Sequence, residues 1–279
     1  MAKVDPSRPI RTLFTREFLS LIRNAKSRAL EELRPMLMNR TLDVSELMRI
    51  IESLNLAYID RPGAMLILKF ITQAYQSGIT ITTQEIDRQQ PVKTTRQYPI
   101  QPELTIGIDF NRYDQKFIDN MSAVTLSDLH GFTAEMSKKI VRDIVEADKK
   151  GSSITNFNNI IQEHYQGIGY VRAETIARTV TTQAHNNAAW SRAKEYAPYK
   201  TWVSAATSPR TRPSHVAMNG VIVPVDEPFH VPAFMASKNS RVEACDMMFP
   251  GDSSLGAPAG QIIQCRCAVG PTFKRPKPV

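Results

Sequence analysis

Apolar residues in the first third of the chain recur at helical spacing. Between Thr12 and Arg34 they fall at Phe14, Phe18, Leu21, Ile22, Ala25, Ala29 and Leu33, while Arg16, Arg23, Lys26 and Arg28 lie off that stripe. This predicts a basic amphipathic helix that Pro35 stops. A second helix is expected from Asp43, whose carboxylate caps free amides with Glu46 in the first turn, through Leu47, Ile50, Ile51 and Leu54. A third, from Pro62 to Ser77, is apolar nearly all round at Met65, Leu66, Ile67, Leu68, Phe70 and Ile71, and should end at Gly78. Ile79 to Thr83 alternates β-branched residues and suits either a short strand or the start of a helix.

The pattern then changes. A polar run from Asp87 to Pro91, followed by Pro99 and Pro102, predicts a linker. Beyond it, Tyr113, Phe117 and Met121 mark a helix opened by Asp109, and Met136, Ile140, Ile144 and Ala147 mark another that ends at Lys149-Lys150-Gly151. A short helix carries Phe157, Ile160 and Ile161 until Gly167-Ile168-Gly169 breaks it. The long helix from Val171 to Tyr196 puts Ala173, Ile176, Ala177, Val180, Ala184 and Ala188 on one face, and these small side chains allow a neighbour to approach closely. After Pro198 the periodicity turns to strands at 199–205, 221–225 and 268–273. A long helix packed on a small antiparallel sheet, behind a mostly helical N-terminal region, is an α+β architecture. The expected division is 1–84 helical, 85–104 linker, 105–159 helical connection and 160–279 α+β domain.

Composition narrows the class. The chain has 279 residues and a net charge of +8, which favours acidic partners such as nucleic acid but equally suits a solvated basic surface. No stretch approaches the roughly 18 consecutive apolar residues of a membrane span, and the N-terminus lacks the apolar core of a signal peptide. A cytoplasm-like compartment and no membrane partner are therefore expected. Three cysteines, two of them one residue apart, do not suit a secreted disulfide framework, and reduced thiols or metal ligands are expected instead.

Candidate chemistry is sparse. Cys265 and Cys267 flank Arg266, so in extended backbone both thiols face one way and Arg266 the other. With His215 and either Cys245 or His185 they supply the four donors of a structural zinc site, although a one-residue gap is shorter than that of the usual zinc knuckle. Small buried thiols and a hydrogen-bonded structural histidine are the alternative. Arg178 suits either pinning its helix to the sheet or forking onto a carboxylate or phosphate. No acid near His215 completes a catalytic triad, and there is no nucleotide-binding or metalloprotease motif. No cofactor beyond that zinc ion, and no enzyme activity, is expected.

The order of residues in the last hundred positions is more specific than any one of them. It runs Ile176-Ala177-Arg178-Thr179, Trp202, Arg212-Pro213-Ser214-His215, Gly220, Phe229, Pro250-Gly251-Asp252 and Cys265-Arg266-Cys267. In this the chain resembles the Mu F-like minor head proteins of tailed phages. The resemblance covers roughly Gly167 to Pro271, with Val180 and Ser208 where the family usually carries acids. It implies a virion structural protein that is made in the host cytoplasm, associates with the portal and capsid proteins, and acts in head assembly, genome packaging or ejection. Viral DNA is a further candidate partner, and a toxin-like or nucleotide-transferring enzyme is the rival class. The stripe Phe14, Phe18, Leu21, Ala25 and Leu33 either docks into a partner's groove or packs on the chain's own helices.

Overall fold

The computed structural model describes residues 7–39, 41–89, 112–205 and 208–276, without the side chains of 112–114, 168 and 170. Most of the expected linker, Asp109 and the Tyr113 side chain lie outside these residues. The described chain is α+β. It comprises α1 (Arg8–Asn39), α2 (Val44–Asn55), α3 (Arg61–Gln89), α4 (Arg112–Lys149), α5 (Ile154–Glu163), α6 (Gly169–Tyr196), α7 (Pro213–Ala217) and α8 (Ala259–Ile262). Seven short strands complete it: β1 (Tyr199–Val203), β2 (Ile222–Pro224), β3 (Phe229–Val231), β4 (Phe234–Ser237), β5 (Ser240–Val242), β6 (Cys245–Met247) and β7 (Ala268–Thr272). It forms two compact units.

The first unit is helical, drawn from Arg8–Phe70 and Asn120–Ala177. α2 starts where its carboxylate cap was expected: Asp43 Oδ1 accepts hydrogen bonds from the amides of Ser45 and Glu46 at 2.8 and 3.1 Å. Two π turns, Leu56–Asp60 and His164–Ile168, join α2 to α3 and α5 to α6 without a break in the helix. Phe14, Phe18, Ala25 and Leu33 of α1 have no exposed surface. Phe14 meets Phe70 edge-to-face at 5.3 Å, and α1 packs against α2, α5 and both π turns. The stripe is therefore spent on the chain's own core, which corrects the idea that Phe14, Phe18, Ala25 and Leu33 wait for a partner's groove; Leu21 beside them is half-buried. On α1, Arg28 pairs with Glu31, and Glu17 pairs with Lys69 of α3.

Four expected boundaries are not where local propensity puts them. α1 runs through Pro35 to Asn39, because Leu37 continues the buried stripe and its packing offsets the hydrogen bond that proline removes. α3 runs through Gly78 to Gln89, so 79–83 is helix rather than strand and 85–89 is helix rather than linker. The segments around Phe117 and Met136 belong to one helix, α4. Gly167-Ile168-Gly169 is absorbed by the second π turn instead of breaking the helix.

The second unit, drawn from the described residues of 71–119 and 178–276 together with Ser7, holds the sheets. β1 lies between β2 and β7, antiparallel to both, with Trp202 opposite Val269. β3 pairs with β6 and β4 with β5. Trp202, Phe229, Val231, Met247, Phe249, Ile262 and Val269 form one apolar cluster with Cys265 and Cys267. The second half of α3 lies against α6 at very short range: a Cβ added to Gly78 would stand 2.4 Å from the His185 carbonyl oxygen and 2.8 Å from Ala188 Cβ. The small residues on α6 are what permit this approach.

Candidate functional site

Three polar side chains of α6 carry the segment that leads into β7. Thr179 Oγ1 accepts from the Gln264 amide at 3.0 Å, and Thr182 Oγ1 donates to the Cys265 carbonyl at 3.3 Å. One turn further on, Asn186 Nδ2 donates to the carbonyls of Pro250 and Cys267 at 2.8 and 2.9 Å, while its Oδ1 accepts from the Val269 amide at 3.1 Å. Threonine and asparagine are needed because strand-end backbone that meets a helix has no ladder partner, and buried amides and carbonyls must find one. Gln183 adds a bond to the Gly251 carbonyl at 2.8 Å. In Pro250-Gly251-Asp252, Gly251 takes φ +89, and the Asp252 carboxylate accepts from the amides of Met248 and Ser254, so this is the tight turn its composition predicts.

The same segment places the two thiols. Cys265 and Cys267 are buried and Arg266 between them is partly exposed, the alternation expected of extended backbone. His215 reaches them from α7, whose start is Arg212 with Pro213 at its first position. The Arg212 guanidinium donates to the Ile263 carbonyl just before the cysteines. The ring of His215 is 1% exposed, and its Nδ1 stands 3.6 Å from Cys265 Sγ and 3.5 Å from Cys267 Sγ. Trp202 braces it edge-to-face at 5.2 Å, and Phe229 braces Trp202 at 5.3 Å. The Gly220 amide bonds the Trp202 carbonyl at 2.8 Å and so fixes the start of β2 beside β1.

Charge is shared unevenly in this cluster. A hydrogen bond from the Cys267 thiol, together with His215, holds Cys265 well below the usual thiol pKa in spite of burial. Cys267 is pushed up, first by the Cys265 sulfur and then by burial. Burial lowers the pKa of Arg212, and the two cysteines pull it the other way. The arrangement stabilises negative charge on sulfur inside an apolar shell.

Among the described residues, His215, Cys265 and Cys267 are the group whose donor atoms all lie within 4.8 Å of one another. Neither proposed fourth donor joins them. Cys245 sits on β6 opposite Val231, and burial beside Asp246 raises its pKa. His185 is buried on α6 and lines a cavity of about 380 Å³ that Cys267, Thr182 and Asn186 also border. Arg178 is buried on α6.

Three further residues carry this region and give little sign of it in the sequence. Asn186 is one. Gln261 of α8 is wholly buried, donates to the carbonyls of Pro232 and Glu243, and accepts from Ser214 beside His215. Lys200 is wholly buried on β1, with Nζ 5.5 Å from the Trp190 ring centre and 5.2 Å from that of Phe229. Its alternation with Trp202 along the strand was the available signal, since position 200 must face the same side as 202.

A long helix whose polar side chains hold a Cys-Arg-Cys strand end, with an Arg-x-x-His segment closing over the thiols, is the framework of this domain. Residues 138–270 match the family described as Phage Mu protein F like protein. No curated protein and no solved structure matches the chain.

Proposed function

We propose that the protein is a minor head protein of a tailed phage, a head-morphogenesis component that associates with the portal and capsid proteins and acts in head assembly, genome packaging or ejection. The observation that supports this reading is the match of residues 138–270 to the Mu F-like family. The family's framework residues also fit a structural role. Thr179, Trp202, Gly220, Gly251, Asp252 and the Cys265 and Cys267 carbonyls engage in hydrogen bonds within the domain. The protein is in this reading a virion component and not an enzyme. Among the described residues no helix is long and apolar enough to cross a membrane, which agrees with capsid and portal partners.

Heads assembled with an affinity-tagged chain provide the test. The expected result is co-purification with procapsids at low copy number, with density for the chain at the portal vertex, and defective heads when the gene is deleted. Heads of normal composition and infectivity without the chain would overturn the reading.

A further inference from the structure

We propose that His215, Cys265 and Cys267 are the three protein donors of a zinc-class metal site, its fourth position filled by water or a small anion. The inference is independent of the head-protein reading. It rests on a spacing, a burial pattern and a valence argument.

The spacing comes first. Donors bound to one zinc ion at about 2.3 Å for sulfur and about 2.0–2.1 Å for nitrogen, at tetrahedral angles, stand roughly 3.6 Å apart. The two sulfur-to-Nδ1 distances are 3.6 and 3.5 Å. A neutral imidazole Nδ1 has either one lone pair or one proton, so it serves one sulfur well and leaves the other at the same distance without its share. A metal ion at the shared centre serves all three atoms at once. The donors are also nine-tenths or more buried and framed by Trp202 and Phe229, so free thiols here would be largely shielded from water.

Donor chemistry selects the ion. Two sulfurs and one imidazole suit zinc and disfavour magnesium or calcium, which take oxygen. Binding releases the thiol protons to solvent, and two thiolates then neutralise the divalent charge, so the assembled site is close to neutral in its apolar shell. No further His, Cys, Asp or Glu of the described residues joins the group, which leaves the fourth position to an exogenous ligand. The donors come from two segments distant in sequence, and the ion would tie α7 to the start of β7. His215 Nε2 is buried without a hydrogen-bond partner among the described residues, so the ring's orientation depends on Trp202 rather than on the usual outer acceptor.

The full-length chain, purified from zinc-replete cells and dialysed, should carry one zinc per chain by elemental analysis. Replacing zinc with cobalt(II) should give the thiolate charge-transfer and tetrahedral absorption bands of a sulfur-ligated ion. Cys265→Ser and Cys267→Ser should each weaken zinc binding by more than the roughly 10–100-fold that loss of an outer-shell partner costs. Cys245→Ser should leave stoichiometry and spectrum unchanged. If the cysteine variants fail to fold, the wild-type cobalt spectrum still decides. A folded wild-type chain with zinc well below one per chain and no cobalt–thiolate band would overturn the proposal, as would loss of zinc in Cys245→Ser.

Discussion

Lys200 is a buried lysine whose charge is costly to hold. Its ammonium is removed from water and faces two aromatic rings, and Nζ finds no hydrogen-bond partner among the described residues. Burial lowers its pKa to about 8, against the pull of Asp226 and Asp252. The unfolded chain binds this proton up to about pH 10, so between the two values the unfolded state holds more protons and stability rises with pH. Below about pH 8 the full cost is present, about 3 kcal/mol at most for a shift of this size. Lys200→Met should therefore raise stability at pH 7 and abolish the part of the alkaline gain that belongs to this group. Denaturant melts of both proteins at pH 7 and pH 10 check this, and equal differences at the two values would contradict it. Asn186 is the opposite case, a buried polar group with all its bonds made. Asn186→Ala leaves two carbonyls and an amide without partners and should cost about 3 kcal/mol or more in the same melts.

Helix propensity and packing disagree at Gly78. In an exposed helix interior, Gly→Ala gains up to about 1 kcal/mol. Here the added methyl would meet the His185 carbonyl at 2.4 Å, a backbone atom that cannot rotate away. Gly78→Ala should therefore destabilise, and a raised melting temperature would refute the close contact. The same competition explains which elements were legible. The Asp43 cap, the end of α4 at Lys149 and the long α6 follow from local chemistry and were readable. Pro35, Gly78 and Gly167 looked like stops because their local cost is real, but the buried stripes continue past them and outweigh it. The site was legible in its Cys-Arg-Cys, Arg-x-x-His and Pro-Gly-Asp pieces. Asn186 and Gln261 were not, because a polar residue in an amphipathic stretch reads as surface until its backbone partners are known, and Lys200 was legible only through the strand face it shares with Trp202.

At the scale of the whole chain, the π turns carry a consequence in phase. Buried residues follow one another at steps of four: 47, 51, 55, 59, 63 and 67 through the first turn, and 157, 161, 165, 169, 173 and 177 through the second. In a regular α-helix each such step overshoots by about 40°, and five steps carry a row of side chains about 200° around the axis. A wider turn holds one extra residue and takes back about 100° of that drift. The extra residue is thus a phase correction, and sequence reading at a period of 3.6 misses it because the repeat it produces is closer to 4. Removing it should act at a distance. Deleting exposed Gln166 would restore regular helix locally but swing the residues of α6 that follow within the helical unit by about 100°, turning buried Ala173 and Ala177 out of its core. Gln166→Ala should leave the melting temperature of the helical unit nearly unchanged, whereas the one-residue deletion should lower it sharply. An insertion that compensates three or four residues downstream would restore it, so the chain tolerates length changes here only in pairs, like a reading frame.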